Sequence, residues 1–229
     1  MQHPVIDDIP VRIDGVGYHV RRIAVTADWD RPWLVFLHEG LGSVEQWRQF
    51  PQQLATATGR NAVIYDRRGH GGSGPLPGPR DGEYHQDEAN ILVSLLGELH
   101  VRSCIPYGHS DGGTIALLAA ATRPDLIAAL VLEAAHVSVE AKAQAGIRTA
   151  QQWYRSGELR QRLHKYHGDH VDAMFSAWAD TWLGPHFEHW SIEDRLGAVT
   201  APALAIQGEH DDYATPGHVD VIAKAVSYT

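Results

Sequence analysis

"GHSDGG", residues 108–113, decides how this chain is read. It sets Ser110 between Gly108 and Gly112 in the spacing Gly-x-Ser-x-Gly. The preceding SCIPYG predicts a strand, and GGTIALLAAATR predicts a helix stopped at Pro124. A sharp strand-to-helix turn lifts a serine above a sheet, and small neighbours let the turn close. A serine hydroxyl is a weak nucleophile that needs a base within reach and N–H donors for the oxyanion it creates. The amide of Asp111, the next residue, is the first candidate donor. Pro106 is out of pattern, because a central strand would use an N–H there.

Working outward, VRIDG and YHVRRIAVT predict an opening hairpin around Gly15-Val16-Gly17. WLVFLH (33–38) and NAVIYD (61–66) are apolar runs suited to strands buried on both faces. Ser43 and Gln46 have capping-box spacing before Trp47, Phe50 and Leu54. Leu92, Leu95, Leu96 and Leu99 mark a helix. LIAALVLEAA and APALAIQG (201–208) predict two more strands. Strands alternating with helices predict an α/β fold, a mostly parallel sheet with helices on both faces. Residues 138–200 break that alternation; they read as helical and hold Trp153, Trp178, Trp182 and Trp190. They predict a helical lid inserted into a core of 1–137 and 201–229. Trp153 and Trp178 are candidate substrate contacts there, since a sheet's ligand crevice lies outside the carboxyl ends of its strands.

With 28 acidic and 19 basic residues, the formal charge of −9 disfavours nucleic acid, which selects basic patches. The single cysteine, Cys104, precludes an intrachain disulfide. The first 15 residues lack the pattern of a signal peptide, and the longest apolar stretch is too short to span a bilayer. The expectation is a cytoplasmic protein that takes a small molecule, with neither nucleic acid nor membrane as partner.

Four motifs in order, HEGLGS (38–43), YDRRGHGGS (65–73), GHSDGG (108–113) and GEHDDYAT (208–215), resemble the α/β-hydrolase superfamily. They are most similar to its lid-bearing serine esterases and carbon–carbon bond hydrolases. The resemblance implies Ser110 as nucleophile, Gly40 and Asp111 as oxyanion donors, and Asp211 as the acid, with Asp212 as competitor. It places His38 and Glu39 at the pocket mouth, Glu39 standing where glycine is usual. The implied activity is hydrolysis of small carboxylic esters through an acyl-enzyme, without metal or other cofactor. Alternatives are lactones, thioesters or vinylogous diketones.

The same resemblance places the triad histidine after one more strand. The sequence ends at Thr229, within the helix predicted after Asp211. The expectation is therefore a truncated hydrolase lacking the last strand and helix, impaired in turnover or reduced to small-ligand binding. It would form homo-oligomers through an uncovered sheet edge. No other histidine reads as the base. His136 follows a strand near the pocket as a polar contact, and His218 reads as outward on its helix. His109 reads as pointing behind the nucleophile, and His38 and His70 as structuring loops.

Two rivals fail on context. Gly69 to Gly74 fits G-x-G-x-x-G, but PLPGPRDG follows where a dinucleotide site needs a helix. His164, His167, His170, His186 and His189 recur in a spacing that winds around a helix, and read as a solvated polar face.

Overall fold

The computed structural model describes residues 4–226. Its elements follow the apolar runs. The opening hairpin is β1 (Val5–Ile13) and β2 (Val16–Ala24), paired antiparallel from Val5 opposite Ala24 to Ile13 opposite Val16. Then come β3 (Trp33–Leu37), α1 (Phe50–Thr58), β4 (Ala62–Tyr65), α2 (Tyr84–Glu98), β5 (Cys104–His109) and α3 (Asp111–Thr122). β6 (Leu130–Glu133) precedes α4 (Ala141–Arg155), α5 (Glu158–His167), α6 (Val171–Leu183) and α7 (Glu193–Leu196). β7 (Ala203–Ile206) and α8 (Gly217–Ala225) close the described chain.

The strands form one seven-stranded sheet in the order β1-β2-β4-β3-β5-β6-β7. β3 to β7 run parallel, and β2 joins β4 antiparallel. The expected α/β architecture is present. β3 and β4 are buried along their whole length, as their continuous apolar runs require. α3 is buried from Asp111 to Ala120, so it shows no amphipathic stripe. Pro106 sits in β5 opposite Val35, and the ladder to β6 begins one residue later, at Tyr107. The capping box does not form. Ser43 Oγ donates to Gln46 Oε1 at 3.0 Å, but residues 45–47 make only a short 3-10 turn and α1 starts at Phe50 behind an uncapped Gln49.

The helices α4 to α6 pack around a second apolar cluster, with Met174, Phe175, Trp182 and Phe187 among its buried members, whereas Leu196 of α7 joins the main core. The segment leaves and re-enters the body at one place: Ile192 N–H donates to the Val137 carbonyl at 2.8 Å and Val139 N–H to that of Trp190 at 3.1 Å. Among the described residues, no helix is long and apolar enough to cross a membrane.

β7 is a sheet edge among the described residues, and its outer face is bare. Leu204 is 58% and Ile206 41% exposed, beside half-buried Val131 and Glu133 on β6. An apolar edge of this kind invites pairing with another chain. Leu204→Lys combined with Ile206→Lys is expected to leave the melting temperature nearly unchanged and to lower self-association. Light scattering over a concentration series measures the effect.

Candidate active site

Ser110 joins β5 to α3 with φ 52° and ψ −117°, a conformation L-residues rarely hold. Such strain costs of order 1–3 kcal/mol and persists only where the surroundings over-determine it. Here Ser110 N–H donates to the Glu133 carbonyl at 2.8 Å, and its own carbonyl accepts from Gly113 at 2.8 Å and Thr114 at 3.2 Å. Thr114 Oγ1 donates to the His136 carbonyl at 2.6 Å, tying α3 to the segment after β6. Gly112 is needed because a Cβ there would collide with the Leu37 carbonyl of β3.

Ser110 opens into a cavity of about 370 Å³ between the sheet's carboxyl edge and helices α4 to α6. Its polar lining includes Glu39, His109, Ser110, His136 and Asp211, and its apolar lining includes Ile147, Leu159, Leu163 and Trp178. Trp178 roofs Gly40 so closely that a Cβ on Gly40 would strike the indole. Neither the Gly40 nor the Asp111 amide donates to an acceptor within the described chain. The Glu39 carbonyl, in the same peptide unit as the Gly40 amide, accepts from His38 Nδ1 at 2.7 Å, Arg67 Nη2 at 2.8 Å and Gly42 N–H at 3.0 Å. In a trans peptide the N–H points opposite to the C=O. Holding that carbonyl against Arg67 therefore turns the Gly40 N–H the other way.

Asp211 lines the cavity at the turn after β7, where Oδ1 accepts from the amides of Tyr213 at 2.7 Å and Ala214 at 2.9 Å. Asp212 is exposed and outside the cavity. The Asp111 side chain is fully buried behind the nucleophile, taking Tyr84 Oη at 3.0 Å and facing Arg67 at 3.4 Å and His85 at 3.5 Å. Burial pushes its carboxyl up, but His85, Arg67 and Arg80 outweigh burial and hold it well below the usual carboxylate range. Burial pushes the Glu39 carboxyl up, against the donation it receives from the Leu41 amide.

Several sequence-derived positions change. His38 does not line the cavity; its Nδ1–H is spent on Glu39, and Nε2 accepts from Arg67 N–H at 3.1 Å. Trp153 lies outside the cavity, under the Arg162 guanidinium at 4.9 Å. His109 lines the cavity instead of pointing behind Ser110. His218 is buried, not outward: Nδ1 accepts from Val137 N–H at 3.3 Å and Nε2 faces Glu140 at 3.3 Å. His167 is buried too, so it leaves the supposed solvated face. Glu39, His136 and Trp178 do line the cavity. Among the described residues, no imidazole hydrogen-bonds the Ser110 hydroxyl and no group of three or more His, Cys, Asp or Glu is arranged for a metal. Sequence reasoning missed Arg67, which DRRGHGG does not distinguish from its half-buried neighbour Arg68. It also missed Ile147, Leu159 and Leu163, whose inward face depends on how the helices dock.

The model of the alpha/beta hydrolase fold family matches residues 32–178, and this chain belongs to that family. It is similar to the human "Serine hydrolase BPHL", 30% identical over 226 residues, covering 94% of this chain and 74% of that protein. It is also 35% identical over 119 residues to the zebrafish (Danio rerio) "sn-1-specific diacylglycerol lipase ABHD11", covering 49% of this chain and only 36% of that protein. Among solved structures, a 2-hydroxy-6-oxo-6-phenylhexa-2,4-dienoate hydrolase from Rhodococcus superposes with a TM-score of 0.77 at 15% identity, covering 98% of this chain and 89% of that one. The enol-lactonase of Burkholderia xenovorans gives 0.73 at 20% identity, covering 96% and 88%. These two likenesses speak to the fold.

Gly112→Ala is expected to cost about 1–3 kcal/mol in denaturant unfolding, the usual range for overpacking. Acid is a second probe. Burial holds His38 down to about 3 and His136 to about 4, against the ordinary 6.5, and also lowers His70, His85, His167 and His218. Below 6.5 the unfolded chain binds protons that the folded chain refuses, so stability is full above 6.5 and is lost as pH falls toward 4 and 3. Of the histidines only His19, raised by its hydrogen bond to Asp66, works in the opposite sense; the raised carboxyls of Glu39 and Glu88 join it, while the lowered ones of Asp66 and Asp111 add to the acid sensitivity. The melting temperature is expected to fall steadily below about pH 6 in a pH series.

Proposed function

We propose that this chain is a serine hydrolase of small carboxylic esters that works through an acyl-enzyme. The observation that carries the reading is Ser110, held at a positive φ where two undonated amides, Gly40 and Asp111, meet the same cavity. Ser110 Oγ adds to the ester carbonyl, and the oxyanion sits between those N–H groups. The alcohol leaves with a proton, water attacks the acyl-enzyme, and the free acid departs as the serine is restored. The proton passes through a base that is not assigned among the described residues; Asp211, on the cavity wall, is the acid that would orient an imidazole in that role. The reaction needs no cofactor.

Residues 138–200 act as the cap over a core of 1–137 and 201–229. Ile147, Leu159, Leu163 and Trp178 take an apolar acyl or aryl group. Neither lysine nor arginine is among the cavity-lining residues, which include three acidic ones, Glu39, Asp111 and Asp211. That lining favours an uncharged ester or lactone over an anionic dienoate, which would need a cationic partner when desolvated. Ligand binding without turnover is the second reading, favoured by the lack of an imidazole on Ser110 among the described residues.

Intact-protein mass after treatment with a fluorophosphonate separates the two. A single adduct that Ser110→Ala abolishes is expected. A folded chain that takes no adduct is a binding protein, and the esterase reading falls.

A further inference from the structure

The loop 38–42 is pinned by three histidine rings from three parts of the chain. Three consecutive carbonyls each face a different ring: Glu39 that of His38 at 2.7 Å, Gly40 that of His70 at 3.1 Å, and Leu41 that of His167 at 2.9 Å. The rings pack in a row, with centroids 4.8 Å apart between His38 and His70 and 5.7 Å between His70 and His167. His38 directly follows β3 and His70 lies in the loop after β4, whereas His167 ends α5, within the helical segment. His167 makes two opposite bonds. Its Nε2 donates to the Leu41 carbonyl, and its Nδ1 accepts from the Gly71 amide at 3.1 Å. Only a neutral ring offers one donor and one acceptor, and burial favours the neutral ring.

We propose that His167 is a positioning residue: it couples the seating of the helical segment on the body to the conformation of the loop that presents the Gly40 amide. This rests on the reading of Gly40 as an oxyanion donor. Removing His167 frees the Leu41 carbonyl and strips the Gly71 amide of its acceptor, so the loop loses its one anchor to the helical segment among these three. Orientation errors of about an ångström at such a loop cost up to a hundredfold in rate.

Two readouts on the full chain test this. The first is hydrogen exchange of a peptide spanning residues 38–44, with α3 as internal reference. The second is the rate of fluorophosphonate labelling of Ser110. His167→Phe keeps an aromatic ring but neither bond. It is expected to raise exchange in 38–44 about tenfold, leave α3 unchanged, and slow labelling about tenfold. His167→Gln, whose amide offers a donor and an acceptor at ring-like separation, is expected to stay within about threefold of the parent on both. Should His167→Phe fail to fold, His167→Asn, too short to span both partners, takes its place. Unchanged exchange in 38–44, an equal rise in α3, or a glutamine variant as loose as phenylalanine overturns the proposal. A parent chain that takes no fluorophosphonate sinks the esterase reading instead, and exchange still decides the role of His167.

Discussion

A single buried guanidinium joins the two halves of the candidate oxyanion site. Arg67 reaches the Glu39 carbonyl at 2.8 Å, fixing the peptide that carries the Gly40 amide, and faces the carboxylate of Asp111, whose amide is the second candidate donor, at 3.4 Å. Both ionic side chains are removed from solvent. Buried pairs of this kind gain little net stability against the cost of desolvation, and breaking one leaves an uncompensated charge. The return here is geometric. β3, β4 and α3 would pack through their apolar faces alone, but that packing would not set the direction of two particular amides.

From Asp111 the polar contacts continue into the helical segment. Tyr84 Oη donates to Asp111 at 3.0 Å, and Trp182 Nε1 donates to Tyr84 Oη at 2.9 Å. His167 makes a second polar connection, to Leu41 and Gly71. The helices therefore meet the body through oriented bonds as well as through apolar area. Directional contacts specify a docking pose, whereas apolar burial is tolerant of small shifts.

Much of the body is legible in the sequence alone. Strands buried on both faces advertise themselves as unbroken apolar runs, as WLVFL and AVIY do, and the turn at Ser110 is local enough to read from its small neighbours. Local signals misled where tertiary contacts competed. Ser43 and Gln46 have capping spacing, yet the Val44 amide is drawn onto Asp66 at 2.7 Å, and the helix starts later. His218 reads as outward on its helix, but its ring fills the space beside His136, with centroids 5.1 Å apart. Trp153 and Trp178 look alike in sequence; only docking sends one to the surface and the other over Gly40.

By itself, the sequence determined the α/β class, the strand-turn-helix at Ser110, the family and the choice of Asp211 over its neighbour as first candidate. The class and the turn rest on periodicity, turn chemistry and short spacings, all local along the chain; the family and Asp211 rest on the resemblance carried by four motifs in order. Tertiary structure alone decided that Arg67 and not Arg68 is buried, that His38, His70 and His167 face three successive carbonyls, and which residues of the helical segment line the cavity. Those outcomes depend on contacts between groups far apart in sequence; His167 and Gly71 lie 96 residues apart. No local pattern encodes the direction from which such a partner arrives.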